Sequence, residues 1–575
     1  MKKIAVIFLL FSQLFASIAN SSTVQYAQNI DINLVINNII SASTHPYVKN
    51  RVFLSYKITL DELYFLSPQH LLWVEAQIAD NEKIDSVLQL ISHADKSGLN
   101  PEDYDLTYLQ QQWKFLLSKK EVSDSEKALF DIAISLNLIH FLSDLRFGRI
   151  NPKTLELNYN TTQNSLVFIP LILKALQDDD ILQLTSWAEP YNKTYHQLKA
   201  ELINYQKKEQ GQAIKEIKYV ASIRPNEMSP QLLEIRQQLD LLDDANEFNT
   251  ASYFYDQELV DVIKKVQFQH GLKEDGIIGK NTLKALNTPV YEYIKKIKLA
   301  LERFRWLPKQ QEDSLIMVNI PAFKLTAYHS DREGMANSQL LEMKVIVGKS
   351  KENKSPVFTA NMYYLEFSPY WNIPKSILVD EILPKLQENP LYLEQHNMEL
   401  VAGFHNNEEA LPYEEDSFEK LLSGEVRLRQ RPGKGNALGK VKFIFPNNYN
   451  VYLHDTPSRH LFRKSKRDLS HGCIRVEKPT ELARFLLQTK RGWNKKEILS
   501  AMHLSKPKKV QLRKSVPVII YYSTASIVQG EVVFYNDIYN YDNRLSQVLM
   551  SDSILQLPAI TMGENSVAVI SSSQD

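Results

Sequence analysis

Cysteine is almost missing: in 575 residues there is one, Cys473. In an exported chain a lone thiol cannot close an internal disulfide, so it persists as a buried small hydrophobe or because its chemistry is used. An excess of charge is missing too, since Lys plus Arg and Asp plus Glu number 67 each. No whole-molecule field then draws the chain to nucleic acid or to an acidic membrane, and its partners must be recognised locally. Past the N-terminus no segment reads as apolar enough to span a bilayer. There is no internal repeat. The 44% hydrophobic and 23% charged fractions are those of a globular protein, and the length calls for several domains.

The chain opens Met1-Lys2-Lys3, runs apolar from Ile4 to Phe15, and continues Ala16-Ser17-Ile18-Ala19. A short basic start, an apolar run below the roughly 20 residues of a membrane span, and small residues where a signal peptidase reads predict a signal peptide over 1–19. The mature chain is then expected to begin at about Asn20 in the periplasm, with an uncleaved inner-membrane anchor as the alternative. No cysteine follows Ala19, which excludes a lipid-anchored lipoprotein.

Residues 20–230 are expected to be a helical scaffold, because Asp61 to Phe65, Ile84 to Ala94 and Lys127 to Leu145 carry apolar residues at three- and four-residue spacing. Ser97-Gly98-Leu99-Asn100-Pro101 stops one helix and restarts another. Over 231–287, Leu232, Ile235 and Leu239 suggest a short helix, and Leu259, Val262, Ile263 and Val266 a second that Gly271 can end in a left-handed cap. Tyr255-Asp256, Phe268-Gln269-His270-Gly271-Leu272, Asp275-Gly276-Ile277-Ile278-Gly279 and Ala285-Leu286-Asn287 resemble the three-helix peptidoglycan-binding module found beside wall enzymes. That family usually carries an aromatic where Val266 stands here. On the residues alone, Asp275-Gly276 is equally a plain turn in a module that binds nothing.

A charged helical linker is expected over 288–313, and after it the period shifts towards two. Leu315 to Ile320, Met343 to Val347, Val441 to Phe445 and Tyr449 to Leu453 read as strands, the last two joined by hairpin chemistry at Pro446-Asn447-Asn448. Val516 to Tyr522 and Glu531 to Tyr535 flank a further hairpin signal, Gln529-Gly530. The fold class is therefore multidomain α+β, with a mostly β domain over 314–550. The polar stretch at about 376–439 is too long for a bare loop and reads as a functional insertion or lid. Residues 551–575 read as a disordered tail.

The chemistry gathers at Ser470-His471-Gly472-Cys473-Ile474-Arg475-Val476, with His454 19 positions before the thiol in Tyr452-Leu453-His454-Asp455. A thiol is mostly protonated at neutral pH, so attack on a carbonyl needs a base or cation beside it. His454, ending a strand, and His471, held in the thiol's own loop, both qualify. Gly472 allows close backbone approach, the Gly472 and Cys473 amides could serve a developing oxyanion, and Arg475 could hold the loop or a carboxylate. Ser470 is a turn residue or a substrate contact. Asp455, adjacent to His454 on a strand, should point to the opposite face, so a backbone carbonyl is the expected partner of the imidazole. A buried cysteine beside surface histidines, and a zinc site of two His and one Cys, are the competing readings. Arg431-Pro432-Gly433-Lys434-Gly435 fails the spacing of a phosphate loop, which removes ATP. No cofactor is expected.

This pattern resembles the YkuD-type L,D-transpeptidases, and within them the large YcbB-like enzymes that carry a capping subdomain. The resemblance implies that Cys473 is the nucleophile, that His454 takes and returns the proton, and that His471 shapes the pocket, without a metal. It implies peptidoglycan stem peptides and glycan as partners, alongside other enzymes of wall synthesis, and a role in cell-wall biogenesis and cell shape. Tyr370 and Trp371, and the row Arg427, Arg429 and Arg431, are candidate substrate contacts, since arginine forks suit the carboxylates of stem peptides. Charge rows are also commonly solvated faces, and the aromatic pair reads equally as core. A wall cysteine peptidase or amidase, and a non-catalytic wall-binding scaffold, are the alternative functions.

Overall fold

The computed structural model describes residues 32–67, 71–75, 82–159, 163–209, 216–242, 251–308, 313–329, 339–389, 391–403 and 408–550. The expected signal peptide and C-terminal tail lie outside them. The chain divides into two compact units, one formed by residues up to Ile84 with Thr107–Leu136, the other by Asp85–Leu106 with everything from Asn137 onward.

The first unit is helical. Helix Asn50–Leu66 buries Val52, Phe53, Tyr56, Leu60 and Leu63, the stripe that a 3.6-residue period requires. Helix Asp124–Phe147, which runs on into the second unit, is long and apolar enough to cross a membrane, contrary to the expectation that no later segment is. It is buried inside the protein and apolar nearly all round, as a core helix is. Its Asp131 accepts hydrogen bonds from the Leu72, Trp73 and Val74 amides, an arrangement that compensates a buried carboxylate.

The second unit is built on a barrel. Its strands are β1 (Ser314–Asn319), β2 (Lys324–His329), β3 (Gln339–Gly348), β4 (Phe358–Phe367), β5 (Trp371–Asn372), β6 (Met398–Val401), β7 (Arg427–Gln430), β8 (Val441–Ile444), β9 (Leu453–His454), β10 (Asp468–Ser470), β11 (Ile474–Val476), β12 (Lys508–Tyr521), β13 (Ala525–Val528) and β14 (Glu531–Phe534). The main sheet has the order β10-β3-β11-β9-β8-β4-β12-β1-β2, and a further pairing of β2 with β3 closes all but β10 into a ring. Alternate residues fill it: Ile316, Val318, Leu325, Val345, Leu365, Phe443, Leu453, Ile474 and Val518 are buried in one cluster. Every functional group on these strands therefore points outward.

Two expectations about pairing change here. Gln529-Gly530, both at positive φ, do turn a hairpin, but its arms are β13 and β14; Val516 to Tyr521 belongs instead to β12, between β1 and β4. The β8–β9 hairpin forms, with Asn447 bonding the Phe445 and Val451 carbonyls across a longer loop. The insertion starts ahead of Ser376, because Trp371 and Asn372 pair with Gln430 and Arg429 in a small sheet of order β5-β7-β6 with its own core of Leu378, Ile382, Leu386, Leu400 and Leu428.

Before the barrel, helices Gln231–Leu242, Gln257–Gln269 and Lys280–Leu286 enclose Leu232, Ile235, Tyr255, Leu259, Ile263 and Ile278, and Gly271 takes φ +59° beyond the second helix. The expected charged linker is the deeply packed helix Val290–Arg305. Its charges are buried because distant partners meet them: Arg303 pairs with Asp542 at 2.5 Å, Arg305 with Glu302 at 3.1 Å, and Glu302 accepts from the Ile150 amide at 3.1 Å.

Candidate active site

Cys473, half-buried, stands in the turn between β10 and β11. Gly472 holds φ +107°, a conformation that side chains disfavour, while a Cβ there would meet nothing nearer than 3.8 Å; conformation rather than crowding demands the glycine. Ser470 Oγ donates to the Cys473 carbonyl at 2.6 Å and accepts from the Gly472 amide at 3.3 Å. From below, Ser355 Oγ donates to the Gly472 carbonyl at 2.6 Å, the Ser355 amide donates to the Tyr539 hydroxyl at 3.1 Å, and that hydroxyl donates to the Gly348 carbonyl at 2.7 Å. Ser470 is thus a buried clamp of the loop. The Gly472 amide, expected to face an oxyanion, is taken by it.

Register brings the remaining groups together. β11 lies parallel to β9 and β9 antiparallel to β8, so Arg475, His454 and Lys442 stand side by side in one row on the outer face of the barrel. Tyr452, two residues before His454, shares that face. Its amide and its hydroxyl favour the charged form of the Cys473 sulfur, and the thiol reaches the Asn450 carbonyl at 3.8 Å. The Lys442 ammonium lies 4.1 Å from the centre of the Tyr452 ring, which meets the His454 ring edge-on at 5.7 Å. Tyr452, Lys442 and Asn450 are site residues that motif reading missed. Tyr452 was within reach of it, because strand alternation sets residue 452 beside residue 454.

Burial pushes the Cys473 thiol up, against the influence of Tyr452 and the Lys442 and Arg475 charges, which favour the thiolate. His454 is buried, and desolvation, then the Arg475 charge, push it down to about 3. Its Nδ1 lies 2.6 Å from the Asp455 carbonyl, as the strand argument expects; with Nδ1 donating there, Nε2 is left as a proton acceptor. The Asp455 carboxylate turns the other way, accepting from the Lys440 and Thr456 amides at 2.9 and 2.7 Å. The resting site is accordingly a neutral thiol and a neutral imidazole flanked by two cations. Among the described residues no three His, Cys, Asp or Glu side chains gather as a metal site.

His471 sits apart from this row, exposed, with Nε2 2.6 Å from Glu381 Oε1 of the insertion. It ties the cap to the catalytic loop. The arginine row is placed differently from its expected role. Arg429 is buried, with Nε 2.6 Å from Glu399 Oε1 and its guanidinium 4.0 Å from the Tyr370 ring centre; Arg431 takes the other Glu399 oxygen at 2.5 Å; Arg427 donates to Asn372 Oδ1 at 3.2 Å. Trp371 packs on the insertion's own apolar cluster. Arg429 and Arg431 thus share the one carboxylate of Glu399, and Tyr370 and Trp371 pack within the insertion.

Three family models match parts of this chain. Residues 313–520 match the L,D-transpeptidase catalytic domain, 59–202 the family described as "Scaffold domain", and 229–286 the "Putative peptidoglycan binding domain". A Haemophilus influenzae protein named "Putative L,D-transpeptidase" is 34% identical over 252 residues, 44% of this chain and 49% of that protein. The chain thus spans about half the length of this curated relative. A solved Clostridium acetobutylicum structure, described as a fused Zn-dependent amidase/peptidase/peptidoglycan-binding domain-containing protein, is 10% identical. It covers 53% of this chain and all of its own, at a TM-score of 0.14, too low to carry an argument.

Proposed function

We propose that this chain is a periplasmic L,D-transpeptidase that forms peptidoglycan cross-links through an acyl-enzyme on Cys473. The observation that carries the reading is the thiol on its clamped glycine turn, set between Tyr452, Lys442 and Arg475 on the domain that matches that family. Cys473 Sγ attacks the carbonyl of the third residue of a tetrapeptide stem and passes its proton to His454 Nε2 as the C–S bond forms. Lys442, Arg475 and the Tyr452 hydroxyl stabilise sulfur as it gains charge, and the Cys473 amide serves the oxyanion. The C–N bond to the terminal D-alanine then breaks, and the proton on His454 leaves with the amine. An amine of a neighbouring stem, the diaminopimelate side chain, attacks the thioester and releases the thiol.

The match at 229–286 supports binding to peptidoglycan. Incubating purified protein with muropeptides tests the reading. Cross-linked dimer supports it, shortened monomer means that water replaces the amine, and no change means a wall-binding scaffold. N-terminal sequencing of periplasmic protein tests the address: a start at about Asn20 is expected, and Met1 retained in the membrane fraction contradicts it.

A further inference from the structure

The barrel carries a second concave site that the chemistry above does not use. A cavity of about 400 Å³ lies on the outer face of β12, β1, β2 and β3, and none of its lining residues belongs to the thiol site. Its floor is Met317, Thr326, Tyr328 and Tyr521; its walls come from residues 190–194, the Phe304 to Pro308 turn, and the β13–β14 hairpin with Tyr535.

The lining chemistry narrows the ligand. Five aromatic rings, Tyr191, Phe304, Tyr328, Tyr521 and Tyr535, stand among the amide and hydroxyl groups of Asn192, Thr194, Thr326 and Ser526. The single carboxylate in the lining, Glu342, lies 2.6 Å from Lys324, so the pair cancels, and Lys193 is solvent-exposed. A cavity without a cation cluster suits neither a stem peptide with its several carboxylates nor a phosphate. Flat apolar walls interspersed with neutral hydrogen-bonding groups suit a pyranose ring, which has apolar faces and a polar rim.

Position gives the ligand a source. The hairpin that walls the cavity also abuts the module of residues 217–287: Gln269 Nε2 donates to Glu531 at 3.1 Å, the His270 and Phe534 rings lie 6.1 Å apart, and Gly271 faces Tyr535, which itself lines the cavity. We propose that the cavity is a glycan subsite, taking one or two N-acetylated sugar rings of a strand that the module also holds. The proposal rests on the peptidoglycan reading above and adds where on the catalytic domain the sugar binds.

Calorimetric titration of the full chain with a soluble tetramer of N-acetylglucosamine tests it. Tyr191→Ala removes a ring that is 74% exposed and so leaves the fold intact; Ser526→Tyr narrows the cavity. Tyr191→Ala should weaken binding about three- to tenfold, the range of one lost aromatic contact, and Ser526→Tyr should weaken it too by taking up space that a sugar ring would use. Unchanged affinity in both variants overturns the proposal and leaves the sugar to the module alone. Absence of binding to the unaltered protein, or displacement of the tetramer by a sugar-free stem tetrapeptide, overturns it as well. Acylation of Cys473 by a carbapenem is measured alongside. It should be the same in Tyr191→Ala, and its loss in the unaltered protein would strike the transpeptidase reading while leaving the sugar result standing.

Discussion

Two rows of cations occur in this chain, and they end differently. On the barrel, Lys442 and Arg475 flank a buried imidazole and a thiol, and the Arg475 Nε has no hydrogen-bond partner among the described residues. In the insertion, Arg429 and Arg431 close on the two oxygens of one buried carboxylate, Glu399. A carboxylate stands beside the first row as well, Glu366 across β4 and β8 from Lys442, but it leaves Arg475 to the thiol, whereas in the insertion both arginines close on Glu399. The first row carries the site's electrostatics, the second the insertion's stability.

Substitutions should separate these roles. The largest effect is expected at the thiol. Cys473→Ala should abolish turnover and the single acyl mass that a carbapenem adds; an adduct persisting in that variant, seen by intact-mass spectrometry, would remove Cys473 as nucleophile.

His454→Ala should lose about 10²- to 10⁴-fold in turnover, the worth of general acid-base catalysis. A pH signature accompanies it. The folded protein holds His454 at about 3 against an ordinary 6.5, so this group's contribution to stability is fully present above about 6.5 and is lost as pH falls towards about 3. Acid-unfolding curves should show His454→Gln less sensitive to pH over that window than the native chain; superimposable slopes would contradict the buried neutral imidazole.

Arg429→Gln should act on the other row. It leaves Glu399 buried with only Arg431, costing about 3 kcal/mol of insertion stability, the lower end for breaking a buried pair. Hydrogen exchange in β6 and β7 should rise while iodoacetamide modifies Cys473 at an unchanged rate. Slowed alkylation would mean that the second row does reach the thiol.

Lys442→Gln should slow alkylation of Cys473 about tenfold at neutral pH and move its pH-rate profile further up, because a cation that favours the thiolate is gone. A profile that stays in place would assign the effect to Arg475 alone. The smallest effect, under about twofold on either readout, is expected for Arg427→Gln, since it loses a partly exposed bond to Asn372.

What the sequence disclosed follows the range of the interactions. The Ser-His-Gly-Cys turn is local, so its glycine could be read from seven residues, while Ser470 stayed open between a turn residue and a substrate contact until its bonds to Cys473 and Gly472 were seen. The Gln529-Gly530 turn was also local, yet its arms were misassigned, since the choice between Ala525–Val528 and Val516–Tyr522 depends on β1 and β4 claiming the latter. Lys442 reaches the site only through the register of β8 on β9, which a loop of uncertain length hides. The helix Val290–Arg305 read as a charged linker because its charge partners, Asp542 and the Ile150 amide, lie far along the chain.

The segment that matches the catalytic family ends at residue 520, but the ground under the catalytic turn does not. Tyr539, 19 residues further on, carries Ser355, and Ser355 carries Gly472. The chemistry is therefore not a portable cassette with a border at the end of β12. A shortened chain stopping there would keep the thiol, both histidines and every strand of the ring, yet lose the post on which the turn rests. Where a thiol stands on a turn that only glycine adopts easily, heredity of the motif and heredity of its footing are separate matters, and a relative keeping the first without the second would bear the signature while its thiol stood loose.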